Sequence, residues 1–331
     1  MTTPRPTPPH RLATTLTTLV LPLAVTGTAV AVGASWAPRL PDPVATHWGP
    51  SGAPDGFGSL TEMLLLSGLV VPVLALGMWA LAFFAGRDTS TRRLAAAAST
   101  FLAVMMSGLT IGSLAGQLDL PDAAASPDID PTLGVSTALG VLAAVVVALL
   151  VPRTAPQPAT APPDAAAPRT DLAPTERAAW SATVTSPVGT GVGAVATITT
   201  AVLAIASDAP YMLVVPALLG LLLAATLVLR VSVDARGLVA RSPLGWPSMR
   251  VPLDEVVVAR VATVEPLREF GGWGYRVGAG GRVGFVLRRG EAVEVERTGG
   301  RVNVVTVDDA ATAAALLNTL AERSRSGRTT G

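Results

Sequence analysis

The 331-residue chain has no cysteine and no lysine. The first absence excludes disulfides, thiol nucleophiles and cysteine-ligated metal centres. The second leaves arginine as the only strongly basic side chain. Histidine is scarce as well, with only His10 and His47 present. Charged residues make up 14% of the chain and aromatics 4%, where a soluble domain carries about 25% charged residues. The formal net charge is +1, so no nucleic-acid partner is implied. No nucleophile–base pair, carboxylate pair or metal cluster is legible, so the sequence predicts no enzyme, no cofactor and no metal. Abundant Ala, with Arg in place of Lys, fits a GC-rich bacterial genome.

What is present is long apolar sequence. A bilayer crossing needs about 20 consecutive apolar residues. Six stretches reach that measure: 13–36, 62–85, 94–116, 133–151, 186–207 and 211–229. Pro22, Pro72 and Pro216 fall inside them, and neighbouring helices can satisfy the carbonyls that such prolines free. Arginine counts predict the orientation. Arg5 and Arg11 precede the first span, Arg87, Arg92 and Arg93 follow the second, and Arg153, Arg169 and Arg177 follow the fourth. The loop after the first span has only Arg39, the loop "QLDLPDAAASPDIDP" has four Asp and no Arg, and the fifth loop has Asp208. The expectation is a multi-pass protein of the plasma membrane with both termini cytoplasmic. Reading the first span as a cleaved signal peptide is disfavoured, because its apolar run exceeds the usual core of about 7–15 residues. No span has a charge near its centre, which argues against a pump or coupled transporter.

The predicted organisation is a cytoplasmic tail (1–11), a four-helix membrane region (12–151) with an outward loop at 40–59, and a Pro/Ala-rich, extended and mobile cytoplasmic linker (152–184). A two-helix membrane hairpin (185–230), a cytoplasmic β domain (231–324) and a disordered tail (325–331) follow. Gly108, Gly112 and Gly116 form two overlapping G-x-x-x-G steps. Such steps line one helix face with glycine and let another helix approach, inside this bundle in preference to a dimer.

The outward loop, "LPDPVATHWGPSGAPDGFGS", is rich in turn residues. Its backbone cannot be satisfied in hydrocarbon, so it lies in water or at the interface. The ordered positions Pro41, His47, Trp48, Gly49, Gly52, Pro54, Asp55, Gly56 and Ser59 resemble the signature of a bacterial membrane domain of unknown function that also occurs in SdpI-like immunity proteins. The resemblance covers roughly 13–85 and implies a membrane module at the cell surface. On the residues themselves, a His47–Asp hydrogen bond that locks the loop is preferred over recognition of an extracellular ligand. One His with Asp42 and Asp55 is too thin a set for zinc.

From 231 the pattern changes to short alternating strands. In "EAVEVE", Val293 and Val295 face one way and Glu294 and Glu296 the other. "DDAATAAALLNTLAERSRS" reads as a helix capped by Asp308 or Asp309, with Ala313, Leu316, Leu317 and Leu320 on one face. About seven strands closed by one helix resembles a pleckstrin-homology-like (PH-like) barrel. The glycines at 271–284 match no phosphate-binding spacing and read as hairpin turns. Arg268, Arg276, Arg282, Arg288 and Arg289 could gather toward anionic lipid. A solvated, balanced surface is preferred, since the tail holds 14 Arg against 11 Asp plus Glu.

The fold class expected is therefore an α-helical polytopic membrane protein with a C-terminal, mainly-β, helix-capped domain. The function expected is non-enzymatic sensing, scaffolding or regulation at the envelope. Its partners would be the lipid bilayer, an extracellular peptide or envelope ligand, and a cytoplasmic protein. An immunity factor against an extracellular toxin is the alternative, and a transporter or channel the second alternative.

Overall fold

The computed structural model describes residues 6–49, 52–173, 175–206, 210–245 and 247–329. Arg5, Asp208 and the last two residues of the expected disordered tail lie outside them. The chain divides into two compact units, Thr7–Thr154 and the part from Ala155 onward.

The first unit is a helical bundle. Its helices are α1 (Arg11–Ser35), α2 (Leu60–Ala85), α3 (Thr89–Ala115) and α4 (Asp130–Leu150), all long and apolar enough to cross a membrane. Between α1 and α2 stands a hairpin of β1 (Val44–Trp48) and β2 (Pro54–Gly58). Pro22 cannot donate a backbone bond, and the turns just before it, Leu16–Val20, widen to π-helix. Ser59 starts α2 with a reciprocal cap: its Oγ accepts from the Glu62 amide at 3.1 Å, and Glu62 Oε2 accepts from the Ser59 amide at 3.3 Å. The inner helix is α3. It buries Ala95, Ala96, Ser99, Thr100, Ala103, Ser107 and Thr110, while its neighbours turn Leu65, Leu69, Leu139, Leu142 and Leu149 outward. Small and hydroxyl side chains inside with leucines outside suit packing in lipid, where close backbone approach replaces hydrophobic burial.

One boundary differs from the sequence expectation. The third span starts at Thr89 instead of 94, because the loop "RDTSTRR" is mostly the first turn of α3. Arg92 is buried there. It donates through Nη1 to the Gly86 carbonyl at 2.7 Å and through Nη2 to the Pro152 carbonyl at 3.0 Å. An arginine counted toward orientation thus also closes two chain segments that leave helix ends.

The second unit joins a helical hairpin to a β structure. Strand β3 (Trp180–Thr185) runs into α5 (Pro187–Ala206), and α6 (Val214–Thr226) runs into β4 (Val228–Asp234). Helix α5 is the fifth long enough to cross a membrane. The sixth expected span, 211–229, is shortened at its end: Val228 and Leu229 belong to β4, where Leu229, Val231 and Val233 alternate into the core. By itself α6 is about 20 Å long.

Strands β5 (Gly237–Arg241) and β6 (Ser248–Val251) complete an antiparallel sheet of order β3-β4-β5-β6. Strand β7 (Val256–Val264), the short helix α7 (Pro266–Phe270), and strands β8 (Gly274–Val277), β9 (Arg282–Val286), β10 (Gly290–Arg297) and β11 (Arg301–Thr306) follow. They form a second sheet of order β7-β10-β11-β9-β8. Helix α8 (Ala310–Thr329) closes the unit. Its N-terminus is capped by Asp309, whose Oδ1 accepts from the Thr312 amide at 3.3 Å. One core joins both sheets and the helix: Val231, Leu238 and Val251 meet Phe285, Val293 and Val305 under Ala313, Leu316 and Leu317.

The mainly-β, helix-closed part of the expectation describes this unit, and its strands lie in two sheets. β11 pairs with β9 in parallel, and among the described residues no strand pairing joins the two sheets. β11 is buried along its whole length, because α7 and Phe270 cover the face of the second sheet away from the main core.

The expected mobile linker, 152–184, is instead held on this unit from Ala155 onward. Thr170 exchanges two hydrogen bonds with Thr319 Oγ1, at 3.0 and 3.1 Å. Asn318 Nδ2 donates to the Pro168 carbonyl at 3.0 Å, and Arg169 pairs with Glu322 at 2.7 Å. Leu172, Ala178 and Trp180 pack against the core. A Pro-rich segment leaves its backbone groups unpaired, and polar side chains of α8 meet several of them. The C-terminal stretch is likewise more ordered than expected. α8 continues to Thr329, and Arg325 donates to the Val256 carbonyl.

Candidate functional site

The residues singled out at 41–59 converge on the β1–β2 hairpin. Its register pairs Val44 with Gly58, Ala45 with Phe57, His47 with Gly56 and Trp48 with Pro54, with irregularities on either side of His47. Val44 and Ala45 point inward and are fully buried, and Val44 packs with Leu64 and Leu114 beside Trp36, Leu40 and Leu60. Pro41 is half-buried in the approach to β1. Inside the hairpin, the Gly49 amide donates to the Ala53 carbonyl at 2.9 Å and the Gly52 amide to the Gly49 carbonyl at 3.0 Å.

Two glycines are required by geometry. Gly52 has φ +76°, and a Cβ there would lie 2.6 Å from the carboxyl carbon of Asp128. A Cβ on Gly56 would lie 2.8 Å from the Cβ of His47.

His47 Nδ1 and Asp55 Oδ1 are 2.5 Å apart, tying the two strands together. Both side chains are mostly exposed, at 73% and 53%. Such a pair contributes about 0–1 kcal/mol, so it is an accessible feature more than a stabilising one. Phe57, 45% exposed, and Thr46 are open to solvent in the same hairpin. Trp48 is anchored, its Nε1 donating to the Pro127 carbonyl at 3.1 Å.

Two contacts that hold the hairpin are not in the motif. Gln117, fully buried after the end of α3, accepts from the Ala45 amide at 2.7 Å and donates to the Ala45 carbonyl at 3.1 Å. Arg39 grips Asp119 through two hydrogen bonds of 2.5 and 3.0 Å, while the Asp119 amide donates to the Arg39 carbonyl at 2.8 Å. The guanidinium holds the Asp119 carboxyl below the usual carboxylate range. Both contacts join residues more than 70 positions apart, and no local pattern announces them.

The predicted glycine face lies inside the bundle. A Cβ on Gly108 would meet Ser136 Oγ at 2.8 Å, and one on Gly112 would meet Thr132 Cγ2 at 2.4 Å, both on α4. One on Gly116 would meet Pro127 at 2.8 Å. Gly108 and Gly112 set how closely α3 and α4 approach.

The five arginines considered for lipid contact do not form a free basic face. Arg282 lies between Glu269 at 2.6 Å and Glu294 at 3.3 Å, above the Phe270 ring. Arg288 pairs with Asp308 and Arg289 with Glu265, each at 2.5 Å. Arg276 donates to the Trp273 carbonyl at 2.8 Å. Arg268 is on α7, next to Glu269 in sequence.

Among the described residues, no group of three or more His, Asp or Glu side chains is placed to hold a metal. The hairpin displays an exposed imidazole–carboxylate pair and a phenyl ring, and it is braced from behind by Gln117.

Residues 24–71, which contain the hairpin and parts of α1 and α2, match a family profile described as a domain of unknown function, DUF1648. No curated protein and no solved structure is significantly similar to the chain.

Proposed function

We propose that this membrane protein is non-enzymatic and works by binding, as a sensor, scaffold or regulator in a bacterial plasma membrane. The hairpin faces outward, both termini are cytoplasmic, and the second unit is the inward interaction domain. The observation that carries this reading is the construction of the hairpin. Its inner face is committed to packing and to Gln117, and its outer residues His47, Asp55 and Phe57 are left in solvent. The ligand is an extracellular peptide or envelope component with a polar group for the His47–Asp55 pair and an apolar group for Phe57.

The test is photo-crosslinking from position 57 in intact cells. The expected result is a discrete adduct that is lost in the His47→Ala/Asp55→Ala variant. No adduct across growth phases and envelope stress, with a folded hairpin, overturns the reading. Orientation is read separately. Ala53→Cys should label in intact cells, and Ala235→Cys only after permeabilisation.

A second reading is immunity to an extracellular toxin, supported by the resemblance of the 41–59 motif to SdpI-like proteins. Gene deletion should then raise sensitivity to envelope-active peptides. Unchanged sensitivity removes this reading and leaves the first in place.

A further inference from the structure

Strands β3 and β4 pair up to Thr185 and Val228 and then pass at once into α5 and α6. The Ser186 amide extends the ladder by donating to the Leu227 carbonyl at 3.1 Å. Both helices therefore leave the same end of the first sheet, and that end lies where α5 leaves the bilayer.

Arg230 sits two residues into β4, about 7 Å along the strand from Val228. Its cross-strand partner is Arg241, the last residue of β5. Both are exposed on the face of the sheet opposite the core. Like charges directly opposite each other destabilise a strand pair. Among the described residues neither has an ion-pair partner. Asp234, the one carboxylate of β4, is engaged by Arg236 at 2.7 Å at the far end of the strand. The arginines toward the second sheet, in contrast, are largely matched with carboxylates.

Two further features share this end. The β5–β6 loop turns here, and its Leu244 is 56% exposed. The Arg241 guanidinium leans over this loop, 2.9 Å from where a Cβ of Gly245 would sit. An apolar groove of about 370 Å³ runs between α5 and α6, lined by Ala194, Thr197, Gly220, Ala224 and Val228. Val228, which lines the groove, lies on the same face of β4 as Arg230.

We propose that Arg230 and Arg241 hold the phosphate of an anionic phospholipid, with an acyl chain in the α5–α6 groove. Guanidinium forks bind phosphate through paired hydrogen bonds. The anion removes the repulsion between the arginines, and Leu244 enters the interfacial region. The inference rests on the membrane reading above and adds to it a specific lipid site.

The full chain is reconstituted in nanodiscs of phosphatidylcholine with or without phosphatidylglycerol, and lipid retained after extraction is counted by native mass spectrometry. Wild type is expected to retain phosphatidylglycerol selectively. Arg230→Gln/Arg241→Gln should weaken that retention by about tenfold or more, from about 1 kcal/mol per basic residue near an anionic surface. Arg268→Gln/Arg276→Gln removes the same charge elsewhere and should retain wild-type levels. Equal retention by the first pair and wild type overturns the site.

Gly220→Leu fills the groove from a position whose nearest neighbour is 4.0 Å from a would-be Cβ. It keeps both arginines and should also lower retention, so unchanged retention overturns the acyl-chain half and covers the case in which the arginine variant fails to fold. Inorganic phosphate at millimolar concentration, added to lipid-free protein in detergent, should leave thermal stability unchanged. A shift equal to that given by phosphatidylglycerol assigns the site to a free anion and overturns the lipid. Resistance of the membrane fraction to alkaline extraction reports insertion itself. It is expected to be the same in all variants, and its loss in wild type sinks the membrane reading instead.

Discussion

The side-chain amide of Gln117 satisfies both backbone groups of Ala45, a residue 72 positions earlier in the chain. It acts as one residue of a third strand and closes the inner edge of β1. A third Gln117 bond, to the Ser113 carbonyl at 3.1 Å, fixes the side chain to the end of α3.

Replacing Gln117 by Leu keeps the volume and orphans a buried donor and acceptor. The expected cost is about 1–3 kcal/mol. Hydrogen exchange at the Ala45 amide should accelerate at least about tenfold, while exchange in the middle of α3 stays unchanged. Equal rates in both proteins would show that the hairpin stands without the brace.

Gly112 and Gly77 make a matched pair of positions. A Cβ at Gly112 would lie 2.4 Å from Thr132, and one at Gly77 would meet nothing within 4 Å. Gly112→Leu should destabilise the bundle by at least the 1–3 kcal/mol (roughly) of ordinary overpacking. Gly77→Leu should be near neutral. Unfolding in mixed micelles measures both, and equal effects would remove the close contact of α3 and α4 as the cause.

Glu255 is buried with Arg297 and Arg301 around it. Burial alone pushes its carboxyl up, but the two guanidiniums outweigh it and hold it below the ordinary carboxylate value. A carboxyl lowered in the folded state stabilises the fold above its unfolded pKa of about 4.3. That stability is lost as pH falls through the lower, folded value. Wild type should therefore lose stability in the second unit on acidification below about pH 4.3. Glu255→Gln should lack this part of the acid limb and be less stable at neutral pH by about 3–5 kcal/mol, because two buried guanidiniums lose their counter-charge. Thermal unfolding of the reconstituted chain across pH gives both quantities.

The strap over α8 predicts a proteolysis pattern. Arg169 is held by Glu322 and by the carbonyls of Pro163, Asp164 and Ala167 at 3.0–3.1 Å, so trypsin should cut slowly after it. Glu322→Ala should speed that cut by about two- to fivefold, the scale of one partly exposed ion pair. Cleavage as fast as in an unstructured peptide would mean that the segment is free.

Much of the plan was legible in the sequence. Hydropathy is a local property, so five spans could be placed from composition alone, within a few residues. Strand alternation such as Val293 and Val295 against Glu294 and Glu296 is local too, as is the leucine face of α8. His47 and Asp55 lie eight residues apart in one turn-rich stretch, so a bond between them could be anticipated. Short range is what these features have in common.

The tertiary structure decided everything that depends on which distant segments meet. Gln117 with Ala45, Arg39 with Asp119 and Thr170 with Thr319 are contacts between residues 72 to 149 positions apart, and a Pro/Ala-rich segment carries no periodicity to announce that it will be strapped down. "WSATVT" became a strand because β4 offered it an edge. Arg230 and Arg241 read in sequence as two unrelated charges, and strand pairing sets them side by side. Hydropathy and alternation determine which residues leave water; the partners of the remaining backbone and charged groups are settled only when the whole chain has packed.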